Sequence, residues 1–202
     1  MPVLEFAIFA LHPPHTSSSP TVKPILGNAL KVLNSASGHP FTPLTQIGSP
    51  NKVYLVGAWD SVPTHNSFLA SAENQKLLAD AKDVIGVDVM YHAEMDRSAV
   101  PLGAPVVSIG RHHVRRGMKP AFEGCFQRVR EILSGAAGMW EVAGGWRIDE
   151  GGEKGCEWLL FAGWESVTQH KEFGRSERYK EYGEIGEFLE GFEVGHAVKY
   201  DP

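Results

Sequence analysis

The sequence has little cysteine, no excess of basic residues and no long apolar run. Its 202 residues include 2 cysteines, and 19 Lys and Arg stand against 24 Asp and Glu, which gives a formal net charge of -5. Two thiols do not make a disulfide framework, so we expect a reducing, cytoplasmic compartment. The acidic balance offers no basic surface to a nucleic acid, and no stretch approaches the roughly 20 apolar residues of a membrane span. We therefore expect neither a nucleic-acid partner nor a membrane partner.

The N-terminal stretch MPVLEFAIFALHPP lacks the marks of a signal peptide. Glu5 interrupts its apolar run, and no Lys or Arg precedes that run. The alternation of side chains is that of a β-strand. We interpret residues 3–11 as the first strand of the fold.

Motifs for metals and phosphates are also missing. No glycine-rich loop leads from a strand into a helix, and no close-spaced His/Glu pattern of the zinc type occurs. His112 and His113 are adjacent in a predicted strand, where neighbouring side chains point to opposite faces, so they make a poor metal pair. We expect no metal and no cofactor.

An internal repeat is the strongest positive signal. The segment WDSVPTH at residues 59–65 returns as WESVTQH at residues 164–170. The identities that share this offset are Trp59/Trp164, Ser61/Ser166, Val62/Val167, His65/His170, Phe68/Phe173 and Ser71/Ser176. Such a repeat predicts two copies of one structural unit, at residues 1–95 and 105–202, with a linker over residues 96–104.

Hydrophobic periodicity predicts the same order of elements, βαββαβ, in both halves. In the first half, strands are expected at 3–11, 41–47, 52–59 and 87–93, with helices at 23–34 and after Ser61. In the second half, strands are expected at 106–114, 139–148, 156–164 and 192–200, with helices at 119–134 and from Ser166 to about 189. The charged, glycine-rich stretch DEGGEKG at 149–155 is expected to be a hairpin.

These elements predict an α+β fold in which each half forms an antiparallel sheet with both helices on one face. The other face of such a sheet is apolar and has to be covered. Two copies in one chain can pack sheet against sheet, so we expect a monomeric pseudo-dimer, with a homodimer as the alternative.

The pattern Trp-(Asp/Glu)-Ser-x-x-x-His-x-x-Phe-x-x-Ser, at the end of a third strand in a βαββαβ unit, resembles the dimeric α+β barrel superfamily. Its nearest branch is similar to the antibiotic biosynthesis monooxygenase (ABM) domain, here tandem-fused, with ferredoxin-like repeats that form an intramolecular barrel. The resemblance implies a cofactor-independent enzyme of secondary metabolism that acts on a small aromatic or polyketide-like molecule, most simply a monooxygenase. A polyketide cyclase or decarboxylase is the first alternative, and a non-catalytic small-molecule-binding or stress-associated barrel is the second.

The resemblance does not extend to the haem-degrading branch of the superfamily. That branch carries an asparagine on the first strand and an axial histidine about ten residues beyond the tryptophan. Neither predicted first strand contains Asn, and the tenth positions after the tryptophans are Leu69 and Gly174. Both departures argue against haem.

Cofactor-free oxygenation of a phenolic substrate needs an apolar aromatic slot and a proton acceptor with a pKa near neutrality, most simply a histidine. In the family the matching tryptophan shapes the pocket. We therefore expect His170 to handle the proton and Trp164 to form a wall, with His113 as a catalytic partner. The candidate substrate-binding residues are Trp140, Trp146, Trp158, Phe122, Tyr179, His112, His196, Trp59 and His65.

The second half is favoured because it holds four of the 5 tryptophans. Two other interpretations remain open at this point. The repeated Trp-Ser-His segment also fits a purely structural corner between a strand and a helix. Tryptophans at alternating strand positions are also typical of a packed core.

Overall fold

The structure, a computed structural model, describes residues 2–148 and 156–202, and the hairpin expected at 149–155 lies outside them. It is an α+β fold, as expected, and the contacts divide it into two compact units. The first unit comprises Met1–Arg97 together with Ala197–Pro202, and the second comprises Ser98–His196. No helix within the described ranges is long and apolar enough to cross a bilayer.

The first unit contains four strands and three helices among its described residues. They are β1 (Val3–Leu11), α1 (Val22–Ser37), β2 (Thr42–Gln46), β3 (Lys52–Trp59), α2 (Val62–Leu69), α3 (Ala72–Ala81) and β4 (Ile85–Ala93). The strand order is β4-β1-β3-β2, with antiparallel pairs throughout. The C-terminal residues 197–199 pair with β2.

The second unit begins within a short 3-10 helix at Arg97–Ala99 and repeats this order. Its elements are β5 (Val106–Val114), α4 (Lys119–Ala137), β6 (Val142–Trp146), β7 (Cys156–Trp164), α5 (Val167–Phe173), α6 (Glu177–Tyr182), a 3-10 helix (Gly183–Phe188) and β8 (Leu189–Lys199). The strand order is β8-β5-β7-β6. Strands β5 and β6 both run antiparallel to β7.

The repeated serines explain where the helices begin. Ser61 and Ser166 lie in extended conformation before α2 and α5, and their hydroxyls accept hydrogen bonds from backbone N–H groups three residues on. Ser71 and Ser176 cap α3 and α6 in the same way. The single helix expected after Ser166 is therefore wrong in detail, because the second cap starts a separate helix in each unit.

The helices cover one face of each sheet. In β1 the period of two places Glu5, Ala7 and Phe9 on one face. Ala7 belongs to a buried cluster with Trp59 and residues of α1 and α2, so this is the face that the helices cover. The functional side chains described below lie between this face and the helices.

Candidate functional site

A buried hydrogen-bonded chain occupies the start of β1 in the first unit. Trp59 Nε1 donates to Glu5 Oε2, and His65 Nε2 lies 3.4 Å from the same carboxylate oxygen. His65 Nδ1 lies 2.8 Å from His92 Nε2. Glu5 is 2% exposed and His65 is 1% exposed, so the chain is shielded from water. It links one carboxylate and two imidazoles, which are groups that accept and pass on protons.

The repeated corner is what brings these side chains together. Trp59 is the last residue of β3 and pairs with Val3, two residues before Glu5. His65 lies in the first turns of α2, which Ser61 caps, and its ring stacks on Trp59 with 4.6 Å between centroids. His92 is the cross-strand partner of Glu5 on β4.

The carboxylate and His65 lie in the wall of a large apolar cavity, which we call the first cavity. Its volume is about 660 Å³. The wall is formed by β1, α1, β3, α2, α3 and β4 of the first unit, with mainly Leu, Ile, Phe and Val side chains around Glu5 and His65, and it also includes Asp80 and Lys82. Leu69, where the haem-degrading branch has its axial histidine, is an apolar part of this wall.

The second unit builds the same corner with one change. Val106 pairs with Trp164 as Val3 pairs with Trp59, so Ser108 holds the place of Glu5. Trp164 Nε1 donates to Ser108 Oγ over 2.9 Å.

The two histidines of the second unit keep the geometry of the first. His170 stacks on Trp164 with 4.3 Å between centroids. His170 Nδ1 lies 2.8 Å from His196 Nε2. The second unit thus has the tryptophan and the two imidazoles without the carboxylate.

A smaller cavity, the second cavity, lies beside His170. Its volume is about 220 Å³, and its lining includes Ser108, His112, His170 and Tyr179. Burial lowers the pKa of His112 to about 4. Burial, together with the charge of His196, lowers the pKa of His170 to about 4. Both imidazoles are therefore neutral at pH 7, which makes His170 a weak base.

Several predicted site residues lie outside both cavities. His113 does not line the cavity beside His170, and its Nε2 lies 3.7 Å from Glu193. Trp140 lines a separate polar cavity and donates to Glu165. The structure thus does not bring His113 or Trp140 together with His170.

The aromatic residues at the N-terminal part of α4 form a packed cluster. Trp146 and Trp158 are 5.0 Å apart between ring centroids, and Phe122 lies 5.5 Å and 5.8 Å from them. None of the three lines the cavity beside His170. Their environment is that of a core.

Glu5, His92 and Ser108 were not among the predicted site residues. Glu5 carried a signal, because it is an ionisable residue inside an otherwise apolar strand. His92 and His196 occupy equivalent positions in the two units. Their separation in the sequence differs from that of Trp59 and Trp164, so aligning the halves at one fixed offset does not pair them. No group of three or more potential metal ligands is found among residues 2–148 and 156–202.

Comparisons with known proteins establish the fold. No family model and no curated protein matches the chain. A solved anthrone oxidase-like protein aligns with a TM-score of 0.70 at 11% identity, over 98% of this chain and 91% of that one. A protein from Lactobacillus acidophilus NCFM that is proposed to be a monooxygenase aligns with a TM-score of 0.65 at 11% identity, over 98% and 93%.

A mutant chlorite dismutase from Candidatus Nitrospira defluvii also aligns, with a TM-score of 0.63 at 8% identity, over 99% of this chain and 92% of that one. These neighbours are proteins of the dimeric α+β barrel type. They are named for different activities, so at these identities they show the fold and do not select a reaction.

Proposed function

We propose that the protein is a cofactor-independent enzyme that oxygenates a small, electron-rich aromatic molecule of the anthrone or hydroquinone class in the first cavity. The observation that carries the proposal is the buried Glu5 carboxylate, joined to His65 and His92 at the wall of an apolar cavity of about 660 Å³. The name of the anthrone oxidase-like structural neighbour agrees with this class of chemistry.

Cavity volume favours the first unit over the second as the place of reaction. Pockets for small organic ligands measure about 300–1,000 Å³. The first cavity, at about 660 Å³, accommodates a fused-ring aromatic molecule, whereas the second, at about 220 Å³, is too small for a molecule of that size. The preference for the second half, drawn from its tryptophans, is therefore reversed in this proposal.

The residues of the first cavity would act in the deprotonation step. Glu5 and His65 face the substrate space and accept the proton from the acidic C–H or O–H group, and His92 supports the resulting charge on His65 through the Nδ1–Nε2 contact. The apolar wall excludes water, which keeps the substrate carbanion from being reprotonated and strengthens each electrostatic contact.

Dioxygen is the oxidant in this scheme. The carbanion transfers one electron to dioxygen, and the two radicals combine to form a C–O bond, which gives a peroxide anion. This anion takes back the proton that the base had accepted and becomes a hydroperoxide. The peroxide loses water as its O–O bond breaks and the second C–H proton leaves. A methylene group and dioxygen thus become a carbonyl group and water, with atoms and electrons in balance.

We also infer that the two units are tandem copies of a ferredoxin-like repeat. The shared order of elements, the equivalent strand orders and the matched tryptophan and histidine pairs support this inference. In this view the second unit is a related copy whose site has lost or never had the carboxylate.

The test is oxygen uptake by the purified, chelator-treated protein with anthrones and hydroquinones, with product masses followed in the same samples. We expect uptake of dioxygen and a product that has gained one oxygen and lost two hydrogens. Glu5→Gln and His65→Gln should each lower the rate by about 10²–10⁴-fold, the usual contribution of a general base. His39→Gln, at a residue paired with Asp60 outside the cavity, should retain the wild-type rate.

Other outcomes would overturn the proposal in distinct ways. Loss of activity in His170→Gln, with full activity in His65→Gln, would move the reaction to the second unit. A product that has lost water or carbon dioxide without oxygen uptake would indicate a cyclase or a decarboxylase. Binding of these aromatics without any change in mass would indicate a non-catalytic barrel.

A further inference from the structure

The second cavity contains an unpartnered polar atom at a deeply buried position. His112 is 6% exposed, and its Nδ1 has no hydrogen-bond partner within the described parts of the chain. Its ring lies over Gly110, where an added Cβ would approach His112 Cε1 to 2.8 Å. Buried polar atoms in native proteins are nearly always paired, so an unpaired one in a cavity wall indicates a missing partner.

His170 also lines this cavity. Its Nδ1 is paired with His196, which leaves Nε2 as the atom directed away from that pair. In the first unit the equivalent Nε2 of His65 faces Glu5, whereas here Ser108 holds that place and its Oγ accepts from Trp164. The second cavity therefore has two imidazole nitrogens available to a ligand.

The residues that line the second cavity indicate that its ligand is uncharged. No Asp, Glu, Lys or Arg is among the described residues that line it, and burial keeps His112 and His170 neutral at pH 7. An ionic ligand would therefore lose its hydration without gaining a counter-charge. A hydroxyl group both donates and accepts, so it satisfies a neutral imidazole in either tautomer.

The shape of the cavity sets the ligand's size and character. Its volume of about 220 Å³ is a third of that of the first cavity. Apart from the hydroxyl side chains of Ser108, Tyr179 and Tyr182, the remaining wall is apolar, with Leu133, Leu160 and Phe192 among its members. Phe192 lies parallel to His112 at 6.2 Å between centroids. A single aromatic ring fits these walls better than a fused-ring system.

We propose that the second cavity is a separate binding site for a small uncharged phenol, held through its hydroxyl by His112 and His170. This inference does not rest on the proposed oxygenation, because it concerns another unit and other residues. It also assigns the second unit a role in recognition without a proton-transfer step.

The test uses 4-nitrophenol, whose absorption spectrum distinguishes the neutral phenol from the phenolate. Equilibrium dialysis would be combined with difference spectra on both sides of the ionisation of the free compound. We expect the neutral form to bind and the ionisation of the bound compound to shift to higher pH. Tighter binding of the phenolate would overturn the proposal.

Two variants locate the site. His112→Phe introduces the residue that the equivalent strand position of the first unit carries, Phe9, and keeps a planar ring while removing both nitrogens. Loss of one hydrogen bond should weaken binding by about tenfold. Val194→Trp narrows the cavity at a residue that is 45% exposed, so the fold should tolerate it and binding should be lost.

Met139→Trp is the control for an added tryptophan, because this side chain is 81% exposed and lies outside both cavities. It should bind 4-nitrophenol as the wild type does. Melting temperatures of all three variants would confirm that they fold. Wild-type affinity in folded His112→Phe and Val194→Trp proteins would place the compound elsewhere and refute the inference.

Discussion

His112 provides a direct test of the electrostatics of the second unit. Burial is the main reason that its pKa falls from 6.5 to about 4. A hydrogen bond to the backbone of Trp158 and the charge of Glu157 oppose this fall, while the charge of His113 adds to it. In the unfolded chain the imidazole takes up a proton near pH 6.5, and in the folded chain it does so near pH 4. Between these values the unfolded state binds more protons, so the free energy of unfolding rises with pH.

The size of this change in the free energy of unfolding follows from the shift in the pKa of His112. The contribution of His112 is fully present above pH 6.5 and is lost progressively as the pH falls toward 4. Lowering the pH from 6.5 to 5 removes about 2 kcal/mol, since each pKa unit corresponds to about 1.4 kcal/mol. The variant His112→Phe has no titrating group at this position, so it should lack this loss.

The measurement is urea unfolding of both proteins at pH 7 and at pH 5, followed by tryptophan fluorescence. Four of the 5 tryptophans lie in the second unit, so the signal reports mainly on that unit. The change in packing affects the variant equally at both pH values. Other titrating groups affect both proteins equally, apart from His113 and Glu157, whose interaction with His112 is part of the measured difference. The difference between the two pH dependences therefore isolates His112.

We expect the wild type to lose about 2 kcal/mol more than His112→Phe between pH 7 and pH 5. Equal losses in the two proteins, within about 0.5 kcal/mol, would mean that the imidazole is solvated or charged in the folded state. The assignment of the second cavity as an uncharged site would then fail with it.

Two further predictions concern local packing. Ser166 accepts a hydrogen bond from Gln169 N, so Ser166→Ala should lower the free energy of unfolding by about 1 kcal/mol in urea titrations. An added Cβ at Gly57 would lie 2.1 Å from Phe41, so Gly57→Ala should lower the melting temperature, at a cost of about 1–3 kcal/mol. Gly27→Ala meets nothing within 4 Å in α1 and should instead stabilise by about 0.5–1 kcal/mol.

The order of strands and helices could be predicted from the sequence because it depends on local periodicity. The repeat also indicated where the helices begin, because Ser61 and Ser166 are caps whose effect is confined to the next three residues. The division of the second helical region was missed although Ser71 and Ser176 carry the same cap signal. Apolar residues continue across that break, so periodicity alone joins the two helices.

The candidate site was harder to predict because it depends on strand register. Glu5 meets His92 across β1 and β4, and the register of that pair shifts between Ile8 and Phe9, which no local pattern reveals. The volume of a cavity likewise depends on residues that are distant in the sequence. Phe41 fills the space above Gly57, and Trp158 fills the space above Gly144. Aromatic residues that suggest a binding pocket in the sequence therefore fill space in the folded protein.

The two units share the residues that build the site but differ in the residues that could take part in a reaction. Both units keep the tryptophan and two linked histidines. A purely structural corner between a strand and a helix would keep the same three residues, so their presence alone does not indicate catalysis. What differs is Glu5 against Ser108, together with cavities of about 660 and 220 Å³. A buried carboxylate beside an imidazole can hold and move a proton, whereas a serine leaves the imidazole neutral and fit only to form hydrogen bonds. Under these proposals the residue at this one strand position distinguishes the unit that acts as a base from the unit that only binds, and the two proposed roles can be tested and rejected independently.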